Sequence, residues 1–271
     1  MNDGKRGEAG STPSPGGPRL EEVFRLDGRT ALISGGGTGI GWGIARCLWA
    51  AGARVALIGR REEVLRQAAA TLGERVGWFV HDVTDFGSAG DLVERVECEL
   101  GPVGILVNNA GVHLKKPALE TTERELQQVV DVHLTGAFAL TRACLPRMRS
   151  TGDGSVVFIA SMASYLGLPL VLTYTTAKTG VLGMMRALAA EYSRDGVRFN
   201  AVAPGWIRSA MLDRSMQGDP RRERKVLERT LVGRFGEPED IGWAVVYLCS
   251  AAARYVTGTC LTVDGGASIG F

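Results

Sequence analysis

Thr30-Ala31-Leu32-Ile33-Ser34-Gly35-Gly36-Gly37-Thr38-Gly39-Ile40-Gly41 reads as a strand that runs straight into a glycine-rich turn and then opens a helix. The apolar run before the turn suits a strand buried on both faces of a sheet. Glycine lets a backbone approach a pyrophosphate closely, and the helix starting near Ile40 presents partial positive charge at its N-terminus. The spacing Gly35-x3-Gly39-x-Gly41 departs from the common G-x-G-x-x-G dinucleotide fingerprint, and glycines also serve ordinary turns. The turn by itself therefore names no ligand.

Outward from this stretch the same grammar repeats. Short β-branched or apolar runs fall at Arg29 to Ser34, Arg54 to Ile58, Val76 to His81, Ile105 to Val107, Ser155 to Ala160, Arg198 to Val202 and Thr259 to Val263. Helical patterns lie between them, at Ile40 to Ala51, Glu62 to Leu72, Gly87 to Leu100, Glu123 to Met148, Thr173 to Tyr192 and Pro238 to Leu248. Strands alternating with helices predict right-handed βαβ units and an α/β fold: a doubly wound, Rossmann-type parallel sheet with helices on both faces. In such a sheet ligands bind beyond the carboxyl ends of the strands. Residues 1–19 are rich in Gly, Pro and Ser and predict a disordered tail; residues 20–271 show no internal linker or repeat and predict one domain.

Composition narrows the function classes. Lys plus Arg number 31 against 29 Asp plus Glu, a balance that points away from nucleic acid and membrane surfaces and toward small ligands. The N-terminal stretch lacks the apolar segment of a secretion signal. The longest apolar stretch, Val171 to Ala190, is interrupted by Lys178 and Arg186 and predicts a buried helix rather than a membrane span. Cys47, Cys98, Cys144, Cys249 and Cys260 are odd in number and lack CxxC spacing, so they predict reduced core residues in a cytoplasmic protein and no metal site.

Tyr174 and Lys178 stand four residues apart, thirteen residues after Ser161. On a helix, positions i and i+4 share a face, so phenol and ammonium would project into one cleft. A fixed cation favours the phenolate and would lower the tyrosine below its usual pKa of about 10. Alone, Tyr-x3-Lys is also an ordinary helix-surface pair, and Ser164 competes with Ser161 as the partner serine.

Taken together these motifs resemble the short-chain dehydrogenase/reductase family across the chain from about Leu26. Its looser glycine motif matches Gly35 to Gly41, its NNAG matches Asn108 to Gly111, its N-x-x-x-P-G matches Asn200 to Gly205, and its closing TG…VDGG matches Val256 to Gly266. The resemblance implies that Tyr174 exchanges the proton, Ser161 hydrogen-bonds the substrate oxygen, and Lys178 holds the nicotinamide ribose and lowers the tyrosine pKa. It also implies a cofactor cleft built from Ser34, Gly35, Gly37, Thr38, Gly39, Ile40, Asp82, Val83, Asn109, Ala110, Gly111, Tyr174, Lys178, Pro204, Gly205, Ile207 and Ser209. Asp82 reads equally as a helix cap.

The second strand ends in Gly59-Arg60-Arg61, with glycine where an acidic residue would accept the ribose hydroxyls of NAD. Arg60, with Arg61 beside it, is placed to meet a 2′-phosphate, so NADP(H) is favoured over NAD(H). Thr38 stands where many NADP-binding relatives carry a second basic residue. His133, in Asp131-Val132-His133-Leu134-Thr135-Gly136, replaces the family's catalytic asparagine. An imidazole can serve in the same relay, and in water it would titrate near neutral pH.

The implied function is NADP(H)-dependent interconversion of a secondary alcohol and a ketone, within the branch that includes 3-oxoacyl reductases and gluconate 5-dehydrogenases. Asp195 falls where carrier-protein reductases tend to be basic. The alternative is a catalytically weak NADP(H)-binding sensor or scaffold, for which His133 is the support. Residues 206–235 correspond to the family's substrate loop. Arg221, Arg222, Arg224 and Lys225 within it read as a solvated helix face, or as an attraction for an anionic substrate. Relatives assemble as homodimers or homotetramers through long helices, and apolar Val181 to Ala190 fits such a contact.

Overall fold

All five residues of β1 (Thr30–Ser34) are buried, as a strand covered by helices on both sides requires. The structure, a computed structural model, describes residues 19–209, 212, 213, 216 and 220–270. The tail expected over residues 1–19 lies outside the described residues except for Arg19. β2 (Arg54–Gly59), β3 (Val76–Val80), β4 (Val103–Asn108), β5 (Gly154–Ile159), β6 (Val197–Pro204) and β7 (Cys260–Val263) complete a seven-stranded sheet in the order β3-β2-β1-β4-β5-β6-β7. Every neighbouring pair is parallel. The order reverses between β1 and β4, and the crevice beyond their carboxyl ends is where such sheets bind ligands.

The helices are α1 (Leu20–Phe24), α2 (Gly39–Ala50), α3 (Glu62–Leu72), α4 (Ala89–Leu100), α5 (Glu123–Val130), α6 (Gly136–Thr151), α7 (Leu172–Tyr192), α8 (Pro220–Arg229) and α9 (Pro238–Cys249). One core lies between the sheet and α4, α6 and α7, around Phe158, Phe199 and Leu140; the other lies under α2, α3 and α9, around Ile33, Leu57 and Ile241. Phe158 and Phe199 are fully buried, and truncating either to Ala removes about 3–5 kcal/mol. Helices α2 and α9 approach closely because Gly242 is bare: a Cβ there would lie 2.5 Å from the Cys47 sulfur and 2.8 Å from the Gly43 carbonyl oxygen.

Two sequence expectations change. The single helix expected over Glu123 to Met148 is interrupted by a π-turn at Asp131–Thr135, which carries His133 inward. Val181, Leu182, Met185, Leu188 and Ala189 pack into the core, as expected of a buried helix. Cys98 is exposed rather than a core residue, while Cys47, Cys144 and Cys249 are buried.

At the amino ends of the strands, arginines hold backbone carbonyls. Arg29 donates to the carbonyls of Cys249 and Gly104, Arg54 to that of Gly28, and Arg198 to those of Leu248 and Val256. Among the described residues no helix is long and apolar enough to cross a membrane.

Candidate active site

The turn after β1 is fixed from within by Ser34. Its hydroxyl accepts from the backbone N–H groups of Asn109 and Ala110, each at 3.0 Å, locking the loop after β4 against the glycine turn. The Asn109 amide donates to the carbonyls of Ser34 and Gly35 at 2.9 and 3.2 Å. Asn109 thus shapes the turn, a role that its motif alone does not reveal. A Cβ on Gly41 would lie 2.2 Å from the Gly35 carbonyl oxygen, so only glycine lets α2 begin this close to the strand. Thr38 precedes α2 in an extended conformation and its side chain caps nothing. The first-turn N–H groups of α2 therefore lack the side-chain acceptor that usually occupies them.

At the end of β2, the exposed Arg60 guanidinium lies 3.7 Å from the Asp82 carboxylate. Asp82 accepts from the Thr84 backbone N–H and hydroxyl at 3.0 and 2.8 Å, closing a turn two residues along rather than capping a helix, since Asp85 and Ser88 precede the helical segments that follow. Burial raises that carboxyl, but the Thr84 bonds together with Arg60 outweigh it and leave Asp82 below the usual carboxylate range. Arg61 immediately precedes α3 and is exposed. Val83 is buried beside Gly136, on the far side of the crevice.

Beyond β6, Gly205 packs against Asp264 and buried Ile207 against Gly236. The Ser209 hydroxyl accepts from Leu212 N–H at 3.2 Å, and its Cβ stands 3.7 Å from where a Gly39 Cβ would be, so this segment closes over the turn. In the expected substrate loop, Trp206, Leu212, Met216, Val226, Leu227 and Phe235 form a small apolar cluster. Arg221, Arg224 and Lys225 are exposed on α8, matching the solvated-face reading. The side chain of Arg222 lies outside the described residues.

Ser161, Tyr174 and Lys178 gather at the end of β5. Ser161 follows the strand, its hydroxyl accepting from Ala163 N–H at 3.1 Å. Ser164 instead donates to the Lys178 carbonyl at 2.8 Å, so it stabilises α7, while Ser161 stands within hydrogen-bonding reach of Tyr174. Lys178 is buried and donates to the Ile159 carbonyl at 2.5 Å, with Nζ 5.7 Å from the centre of the Tyr174 ring. Burial pulls the Lys178 ammonium down to about 7. Burial likewise pushes the Tyr174 phenol above its ordinary value, opposed by the Ser161 hydrogen bond. The expected lowering of the tyrosine by the lysine charge is not found in this cleft: burial dominates, and the Ser161 hydrogen bond is what opposes it.

His133 is buried, and its Nε2 lies 2.8 Å from the Val112 carbonyl oxygen and 3.1 Å from the Val112 nitrogen. Its ring stands edge-on to Tyr174, 5.6 Å between centroids and 85° between planes. Burial first, then the nearby Lys178 charge, pulls His133 down to about 3 against the Val112 bond. It stays neutral near pH 7 and does not titrate there as the sequence suggested. Gly111 has no side chain because the His133 ring fills that space: a Cβ would lie 2.5 Å from Cε1. Lys178, His133, Ser34, Ala110 and Val83 line one void of about 10 Å³, the size of a single water, between α7 and the end of β1.

One residue that no motif marked also belongs here. The exposed imidazole of His113 lies 5.0 Å from the Tyr174 ring, centre to centre, at a tilt of 51°. Among the described residues no cluster of three or more His, Cys, Asp or Glu side chains is placed to hold a metal ion.

The chain is similar to known proteins along most of its length. The family profile described as Enoyl-(Acyl carrier protein) reductase matches residues 35–268. The galactitol 2-dehydrogenase (L-tagatose-forming) of Cereibacter sphaeroides is 40% identical over 250 residues, covering 91% of this chain and 98% of its own. The 2-dehydro-3-deoxy-D-gluconate 5-dehydrogenase of Bacillus subtilis is 37% identical over 250 residues, covering 91% and 97%. A gluconate 5-dehydrogenase from Burkholderia cenocepacia, solved in complex with NADP and tartrate, superposes with a TM-score of 0.88 at 32% identity, covering 93% of this chain and all of that one (100%).

Proposed function

The chain belongs to the short-chain dehydrogenase/reductase family of oxidoreductases, and from that premise we propose that it is an NADP(H)-dependent enzyme interconverting a polyhydroxylated secondary alcohol and its ketone. The observation that supports the reading is the convergence of Ser161, Tyr174 and Lys178, with Lys178 lining a void shared with Ser34, the residue that leads into the glycine turn. The turn fits a dinucleotide: Gly41 brings the start of α2 close against the end of β1, and that helix start keeps its donors uncapped. Arg60 and Arg61 would receive the 2′-phosphate, and Lys178 the nicotinamide ribose. When bound, NADP(H) supplies or accepts the hydride.

The residues of the chain handle the rest. In the oxidation direction Tyr174 takes the hydroxyl proton as the carbinol carbon becomes a carbonyl; in reduction it returns that proton to the forming alkoxide. Ser161 donates a hydrogen bond to the same oxygen and holds it against the phenol. A charged Lys178 favours the phenolate, and occupation of the cleft that supplies oxygen acceptors to its ammonium would favour that charge. His133, neutral, fixes the Gly111–Val112 backbone behind Tyr174.

The substrate class, a polyol or sugar acid, is supported by the galactitol and deoxygluconate relatives. The test is a panel of hexitols, aldonates, simple secondary alcohols and 3-oxoacyl thioesters, with NADP(H) and NAD(H), followed by absorbance of the reduced nicotinamide. Turnover of polyols or aldonates with NADP(H) is expected. Activity confined to thioesters, or no activity at all, would reject the reading.

A further inference from the structure

The loop after β4 carries one side chain whose position needs explaining. His113 is exposed, yet its ring is laid against Tyr174, on a segment anchored at both ends. On one side, Val112 is bound through its backbone to buried His133. On the other, Lys116 N–H donates to the Leu170 carbonyl at 2.7 Å, and Lys116 Nζ grips both carboxylate oxygens of Glu125 at 2.9 and 3.0 Å. Leu170 accepts that bond from a left-handed conformation, φ 67°, which disfavours a branched residue by about 1–2 kcal/mol. Two loops are thus joined across the mouth of the site, one following Ser161 and the other bearing His113. Between these anchors the imidazole is held in place, as a group that reads a substrate must be.

Tyr174 is approached from inside by His133 and Lys178, both buried, and from outside by His113. Of these three only His113 is exposed, so a carbinol brought to Tyr174 from solvent meets its imidazole. The atoms next to the reacting carbon then lie beside an imidazole, which can both donate and accept a hydrogen bond. A simple alkyl neighbour has no use for such a partner, whereas a hydroxyl does.

Resting on the function proposed above, we propose that His113 is a specificity-determining residue that hydrogen-bonds the hydroxyl on the carbon adjoining the one oxidised, selecting vicinal diols over isolated secondary alcohols. The test uses the full chain with NADP⁺ and compares kcat/KM for the best hexitol or aldonate with kcat/KM for cyclohexanol. In His113→Phe, which keeps a ring against Tyr174 but neither donates nor accepts, the preference for the vicinal substrate should fall about tenfold, the worth of one hydrogen bond. His113→Gln should restore most of it. Equal losses on both substrates in the Phe variant, or a Gln variant no better than Phe, would overturn the assignment.

A second readout does not depend on turnover. In ¹³C-histidine-labelled protein carrying Tyr174→Phe and loaded with NADP⁺, the hexitol should shift the His113 imidazole resonance and cyclohexanol should not. Shifts with both, or with neither, would count against the proposal. If the unmodified protein oxidises neither alcohol, the parent reading fails. If it oxidises the hexitol with a preference indifferent to residue 113, this inference alone fails.

Discussion

The ring of His133 meets the ring of Tyr174 edge to face, at 85° and 5.6 Å between centroids, while its Nε2 is committed to the Val112 backbone. Edge-to-face pairs of this kind are favourable in themselves. His133 therefore packs against Tyr174 with its ring and holds the loop after β4 through its nitrogen.

Replacing His133 should act on stability as well as on rate. His133→Ala leaves the Val112 backbone without its buried imidazole partner, a loss of about 1–3 kcal/mol by denaturant unfolding, and His133→Asn should recover part of it. Since His133 is held at about 3, the pH profile of kcat/KM between about pH 5 and 8 should keep its shape in His133→Asn. An inflection present in the parent and lost in the variant would show that the histidine titrates during turnover.

Tyr174→Phe removes the only phenol at the reacting position and should lower kcat by a factor on the order of 100 to 10,000. NADPH binding, followed by nucleotide fluorescence, should persist. Substantial residual turnover would mean that another group carries the proton.

Arg60→Ala should weaken NADPH by about 1.5 kcal/mol, the lower end for a bond to a charged group, because the guanidinium is 71% exposed and screened by water. NADH should change far less. Matching losses for the two nucleotides in a titration would contradict the 2′-phosphate contact.

Stability of the nucleotide-free protein should depend on pH through Lys178. Its folded value of about 7 lies below the unfolded value of about 10.4, so across that window the unfolded chain binds more protons and stability rises with pH. The penalty for burying the charge is full below about pH 7 and vanishes above about pH 10.4. Lys178→Met should raise the Tm most at low pH and converge with the parent at high pH. A variant curve parallel to the parent would show that the buried ammonium is not the source.

Much of this was legible in the chain. Parallel strands announce themselves through runs such as Thr30 to Ile33, and the glycine turn declares its place because backbone proximity admits no Cβ at Gly41. Ser161 is separable from Ser164 by spacing, and the structure separates them again by their partners. The π-turn at Asp131–Thr135 left no mark, since one extra residue in a helical turn barely disturbs an apolar period. Burial sets the ionisation of His133 and Tyr174, and burial depends on which elements close over them. His113 belongs to no motif; only the folding of its loop against α7 reveals it.

The guanidinium groups of Arg29, Arg54 and Arg198, which tie carbonyls together at the amino ends of the strands, give the molecule a foundation remote from its chemistry. Whatever is inserted, shortened or rewritten between residues 111 and 122 or 161 and 171 leaves that foundation untouched. Selectivity in this scaffold is accordingly open to redesign at the rim, with the underlying framework as a constant.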